Sequence, residues 1–153
     1  MDGTKEPQYI QESLEDRIGF IKRMGLKVTA ARKGYAKLSA PLEGNQNHIG
    51  IMYAGALFSL AEFIGGVFCW ASFDQIRFYP IVKDMRIKYV KPVKTDAYVE
   101  IFIAKEEIER IEKEAETNGK SDFRIETQIK DASGEMVAFS TGVYQLRTNK
   151  FDC

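Results

Sequence analysis

The chain has 153 residues, 44% of them hydrophobic, which suits one domain, 1–153, with a core of its own. Its 22 Lys and Arg balance 22 Asp and Glu, so no global field draws it to nucleic acid or to an anionic membrane surface. Two cysteines, Cys69 and Cys153, are too few and too differently placed for a disulfide framework and fit a reducing cytoplasmic setting, while the opening MDGTKEPQ carries the acids and proline that a secretory leader avoids.

Within residues 1–24, Tyr9 to Met24 sets Ile10, Leu14, Ile18 and Ile21 at spacings of four, four and three. That predicts an amphipathic surface helix, stopped at Gly25. In LKVTAARKGYAKLSA, Leu26, Val28 and Ala30 alternate with Lys27 and Thr29, predicting a half-buried strand with a bulge or bend at Gly34. Pro41, Gly44 and the cluster Asn45 to Asn47 then mark a loop.

The loop runs into the most apolar stretch of the chain. From Ile51 to Ala71 only Ser59 and Glu62 are clearly polar, which makes a membrane span a formal rival. Against it stand the glycines at 50, 55, 65 and 66, the central carboxylate, and the half-apolar strands that follow and need a cover. A helix that is apolar all round is what a sheet wrapped about it calls for, so no membrane partner is expected.

After that helix, IVKDMRIKYV places Val82, Met85, Ile87 and Tyr89 on one strand face, and AYVEIFIA places Val99, Ile101 and Ile103. The Glu-rich insert 105–119 reads either as a short solvated helix with Ile108 and Ile111 inward, capped by Asn118 and Gly119, or as a plain charged connector. SDFRIETQIK alternates Phe123, Ile125, Thr127 and Ile129 with polar residues, and EMVAFSTGVYQL answers with Val137, Phe139, Thr141 and Val143. Asp131, Ser133 and Gly134 supply the turn between them. The expected architecture is α+β, with one mostly antiparallel sheet rolled round one central helix.

The chemistry this permits is narrow. No glycine-rich phosphate cradle follows a strand, and a single histidine with no Cys/His cluster argues against a metal site. His48 sits beside no nucleophile elbow, and Ser59 reads as a helix residue bonded to its own backbone. Glu62 remains. Desolvation disfavours its charged form, which is how a general base is tuned, although an acid paired with an arginine across a subunit boundary fits the same position.

The helix start adds a second element. First-turn N–H groups lack intrahelical partners and attract negative charge, and Ala54 and Gly55 are small enough to let a carbonyl reach them. Glu62 lies roughly 11 to 12 Å further along by helical rise, too far for one helix to use both ends on one atom. A second copy whose helix runs antiparallel closes the gap, so a dimer with composite sites is expected.

These residues resemble the hot-dog-fold acyl-thioester hydrolases, in particular the phenylacetate-pathway type and the YiiD C-terminal-like group. The family pattern is N-x-x-G-x-x-H-G-G, six residues, then Asp or Glu. Here Asn47, Gly50, Gly55 and Glu62 match it in register, while Tyr53 replaces the histidine and Ala54 the first glycine. The strand order agrees over residues 25–147.

The resemblance implies a sheet wrapped on a long helix, a homodimer or dimer of dimers, and cleavage of acyl thioesters of coenzyme A or acyl carrier protein, with coenzyme A as part of the substrate and no bound cofactor. Glu62 is then nucleophile or base, the N–H of Ala54, with that of Gly55, polarises the thioester carbonyl, and Asn47 positions the water or the carboxylate. Tyr53 becomes a substitute donor, a tunnel wall or a bystander, and His48 and Gly50 belong to the substrate-side loop. The basic excess at Arg86, Lys88, Lys91 and Lys94 either grips the coenzyme's phosphates or forms a solvated strand face. Phe58, Phe63, Phe68 and Trp70 are candidates for an acyl tunnel, though most must fill the core. A non-catalytic acyl-thioester binder on the same fold is the alternative.

Overall fold

A computed structural model of the chain describes residues 6–149. Cys153 and most of the opening segment lie outside that range. The predicted N-terminal helix is two helices, α1 (Pro7–Glu15) and α2 (Gly19–Met24). Ile18 between them leaves the helical conformation and is 41% exposed, so it drops out of the predicted stripe. The break re-aims the chain so that Ile10 and Leu14 before it and Ile21 and Met24 after it all reach the core. Gly25, in the left-handed conformation at φ 68°, ends α2 as predicted.

The next segment is a hairpin of two strands, β1 (Lys27–Arg32) and β2 (Tyr35–Ala40). Arg32 pairs with Tyr35, so Lys33 and Gly34 form a two-residue turn, and the bulge falls earlier, between Val28 and Ala30. Gly34 has φ +80°, and a Cβ there would lie 2.7 Å from the carbonyl oxygen of Ile103. Both the turn and the neighbouring chain therefore require glycine.

The apolar stretch forms α3 (Ala54–Ser72). It is long and apolar enough to cross a membrane by length and composition, but most of it is buried against the chain's own sheet. The sheet continues with β3 (Phe78–Tyr89) and β4 (Ala97–Phe102). A helix, α4 (Lys105–Asn118), follows, and then β5 (Lys120–Lys130) and β6 (Met136–Thr148). The Glu-rich insert is thus a helix: Ile108, Ile111 and Ala115 seat it on the core, and Gly119 caps it at φ 81°.

Six strands run in the order β1-β2-β4-β5-β6-β3, antiparallel throughout. β5 keeps perfect alternation, with Phe123, Ile125, Thr127 and Ile129 inside. In β6 the predicted inward set fails beyond Val137: Ala138, Ser140, Tyr144 and Leu146 point inward, while Phe139, Thr141 and Val143 are half-buried on the outer face. The reason is one extra residue. Lys130 faces Met136 but Ile129 faces Ala138, so Val137 is inserted, and a one-residue slip turns every later side chain over.

β3 differs from the other strands. Like β1 it is a bulged edge strand, the bulge lying between Val82 and Asp84, but at 12 residues it is twice as long as β1, which has 6. Of its predicted inward residues only Met85 and Ile87 pack against the core, and Val82 and Tyr89 are exposed.

Candidate active site at the open side of the central helix

The loop before α3 is laced by its own polar groups. Asn47 Oδ1 accepts the N–H groups of Ile49 at 3.0 Å and Ile51 at 3.3 Å, and Gly50 turns the chain at φ +84°. Asn45 Nδ2 donates to the carbonyls of Met24 and Pro41, both at 2.8 Å. Met52 N–H reaches Val93 and Tyr53 N–H reaches Asn45, again at 2.8 Å. The first turn of α3 is thereby held beside the chain that leaves β3.

Tyr53 is the extended residue before the helix, at φ −61° and ψ 136°. Its ring lies over Gly55, where a Cβ would come within 2.5 Å of it, yet the side chain remains 59% exposed. Helical bonding starts with the N–H groups of Ala56 and Leu57, which both reach the Tyr53 carbonyl. Those of Ala54 and Gly55 have no partner among the described residues. Ala54, though not Gly55, borders a cavity of ≈ 320 Å³ lined also by Asn47, Leu57, Tyr89, Lys91 and Val93 among others. Tyr89 donates its hydroxyl to the Ala54 carbonyl at 2.9 Å. Partial burial, then the neighbouring Tyr53, raises its phenol above the ordinary value.

Glu62 is absent from this cavity. It sits two turns along, on a stripe of α3 that the sheet leaves uncovered: Gly55, Phe58, Ser59, Glu62 and Gly66, spaced three and four apart. Its carboxyl is pushed above the usual carboxylate range by burial alone. It has no hydrogen-bond or ion-pair partner among the described residues. An unpaired acid held half out of water is a stronger proton acceptor than a free glutamate, the property a general base needs.

The remaining candidates separate. Lys91 borders the cavity and pairs with Glu135. Arg86 and Lys88 alternate with Met85 and Ile87, so they occupy the sheet face turned away from α3, opposite Thr141 and Phe139 in the register. His48 is exposed in the loop and does not line the cavity. Asn47 has its side-chain oxygen committed to the loop, which leaves only its amide Nδ2 for the site. Of the tunnel candidates, Phe63 and Phe68 are core residues, Phe58 is 37% exposed on the open stripe, and Trp70 lies beneath the guanidinium of Arg17.

Two residues that sequence reasoning passed over touch the site, Tyr89 as more than a strand residue and Tyr144. The signal for Tyr144 was the pair of glycines, Gly65 and Gly142, that its ring requires, but they are paired only in space. A larger cavity of ≈ 440 Å³ opens on the outer sheet face between β4 and β5, lined by Lys37, Tyr98, Glu100, Glu126 and Gln128 among others, and holds none of the candidate residues. Among the described residues no three His, Cys, Asp or Glu side chains converge as a metal would need.

A family model described as "Putative thioesterase (yiiD_Cterm)" matches residues 7–148. The chain belongs to this YiiD_C family. A Pseudomonas aeruginosa protein of known structure, described as a "Probable Thioesterase", is 42% identical to it over 97% of this chain and 100% of its own, with a TM-score of 0.89. The fold recurs in the putative thioesterase of Shewanella oneidensis, at 20% identity, 91% and 95% coverage and TM-score 0.74. It recurs also in a Haemophilus influenzae thioesterase at 12% identity, 99% and 96% coverage and TM-score 0.76. No curated protein matches the chain. This YiiD_C protein therefore has the hot-dog fold, an antiparallel six-stranded sheet about a long helix, and belongs with thioesterases.

Proposed function

We propose that the protein is a cytoplasmic enzyme that hydrolyses acyl thioesters of coenzyme A or of acyl carrier protein. The observation that carries this reading is Glu62: half-buried, unpaired, raised in pKa and set on the one open stripe of an otherwise covered helix. Glu62 takes a proton from a water molecule as the water oxygen attacks the thioester carbonyl. The oxyanion that forms is held by the N–H groups of Ala54 and Gly55, whose direction and first-turn dipole suit it. Collapse expels the thiolate and leaves the carboxylic acid. The Tyr89 phenol, Lys91 and the Asn47 amide border the cavity where the carrier arm enters.

Ala54 and Glu62 stand about 12 Å apart along one helix, so the working pair comes from two copies. β3 is a twelve-residue edge with exposed Tyr79, Ile81, Val82 and Tyr89, a liability unless another strand covers it. Pairing of β3 with a two-fold copy of itself about Met85 sets each Asp84 opposite an Arg86, a favourable cross-strand pair made twice. The same axis lays the two α3 helices antiparallel, with the Glu62 of one toward the Ala54 of the other.

Free thiol released from a panel of acyl-CoAs, with Glu62→Gln as control, tests the chemistry. Turnover that survives in the Gln variant removes Glu62 from the mechanism, and tight binding with no turnover favours a non-catalytic binder, the reading open to a chain with Tyr53 where the hot-dog pattern it resembles has histidine. Mixed dimers test the composite site. Ala54→Pro deletes one oxyanion donor at the first helical position, where proline is tolerated, and the extended Tyr53 suits a following proline. Each variant alone is inactive. A mixed dimer of Ala54→Pro with Glu62→Gln has one intact site and regains activity. No recovery on mixing places both groups in one chain.

A further inference from the structure

Tyr144 lies at the centre of β6, 2% exposed, and its hydroxyl donates to the main-chain carbonyl of Glu62 at 2.8 Å. The ring is built in with unusual care. A Cβ at Gly65 would fall 2.3 Å from it and a Cβ at Gly142 2.6 Å, and Phe123 stacks on it at 5.7 Å between centroids. Two glycines, one on the helix and one on the sheet, are therefore given over to seating one phenol.

Stability does not explain the hydroxyl. A helical carbonyl at position 62 already accepts the N–H of residue 66, so phenylalanine would fill the same space with no unsatisfied group, and a second bond to a satisfied acceptor adds little. The need lies in the helix. Glu62 is followed by Gly65 and Gly66, the weakest helix formers after proline, with no side chains of their own to key the helix against the sheet. Leu60, Ile64, Val67 and Phe68 hold α3 as a whole, and the Tyr144 bond fixes the backbone of Glu62 itself, where a displacement of about 1 Å at a reacting group costs about a hundredfold in rate. Burial and the nearby Glu62 charge also raise the phenol far enough that its proton is always present to donate.

We propose that Tyr144 is a positioning residue, holding the Glu62 carboxylate in its half-buried place by pinning the helix to the sheet at that residue's carbonyl. The inference rests on the functional reading of Glu62. It is tested with Tyr144→Phe in the full chain, alone and combined with Glu62→Gln. We expect kcat to fall about ten- to hundredfold with KM unchanged, and no further loss when the change is added to Glu62→Gln. Equal losses in both backgrounds, or a KM that rises with kcat untouched, overturn it.

A second readout needs no turnover. In the carbon-13 carboxyl titration of labelled protein, release of the helix lets Glu62 reach water, so its midpoint falls toward the ordinary glutamate value in Tyr144→Phe. An unmoved midpoint overturns the proposal. If the wild-type protein cleaves no thioester while the midpoint still falls, the hydrolase reading fails and the positioning role stands.

Discussion

The two sides of α3 are made from the same apolar alphabet and obey different rules. On the covered side Leu57, Leu60, Ala61, Ile64, Val67 and Phe68 are sealed against the sheet, and Phe68 meets Phe73 and Phe123 edge to face at 5.8 and 5.9 Å. On the open side Gly66 leaves room, and Glu62 stands beside Ser59 with no side-chain partner among the described residues. One side closes space and the other keeps it. A helix apolar all round hides this division, because composition reports how greasy the element is and not which of its stripes the chain leaves bare.

The sharpest way to break the comparison is Glu62→Gln, which should lower thioester turnover about a thousandfold and leave the fold intact. Its effect on stability has a definite sign. Burial raises the carboxyl in the folded chain, so between the ordinary glutamate range and that raised value the folded state keeps a proton that the unfolded chain has lost. Stability therefore falls as pH climbs through this window. Glu62→Gln removes the dependence. Melting temperatures of the two proteins should match in acid, and the variant should be the more stable at neutral pH. A covered-side residue behaves oppositely, losing stability at every pH, and a wild type that gains stability through this window would place a hidden cation beside Glu62.

Much of this was legible in the sequence where the signal is local. β5 alternates without a fault because it pairs with β6 in unbroken register from Lys120 to Ile129, and Gly25 and Gly119 end their helices as single residues can. What failed was set at a distance. Ile18 drops out of its stripe because the packing of α2 required a break, and Phe139, Thr141 and Val143 change faces because Val137 is an extra residue opposite a partner strand. Gly34 makes a hairpin turn, a choice fixed by the close approach of Ile103. At the site, Glu62 stood out as the acid of an apolar run. Arg86 and Lys88, read beside Lys91 as one basic group, part company because a strand sends alternate residues to opposite faces.

Two adjacent glycines sharpen the comparison further. Gly65 faces the sheet, and a methyl group there meets the Tyr144 ring at 2.3 Å. Gly65→Ala is expected to cost about 1–3 kcal/mol, the usual cost of overpacking a filled core, measured by denaturant unfolding. Because Tyr144 must move to admit the methyl, turnover should fall with stability.

Gly66 is the smaller and more telling case. It lies on the open stripe, one turn beyond Glu62, and a Cβ added there has nothing within 4 Å. The chain itself imposes no steric penalty, so the helix-propensity gain of alanine over glycine should appear almost undiminished, a stabilisation approaching about 1 kcal/mol. The same residue next to Gly65 thus carries the opposite sign, from propensity winning where packing is absent and losing where it is present. If Gly66→Ala destabilises instead, by an amount that depends on protein concentration, the methyl is meeting a second copy of the chain, and the stripe is closed by a partner helix at that point. If it stabilises while turnover of the longer acyl chains falls, the space over Gly66 is where the acyl group lies.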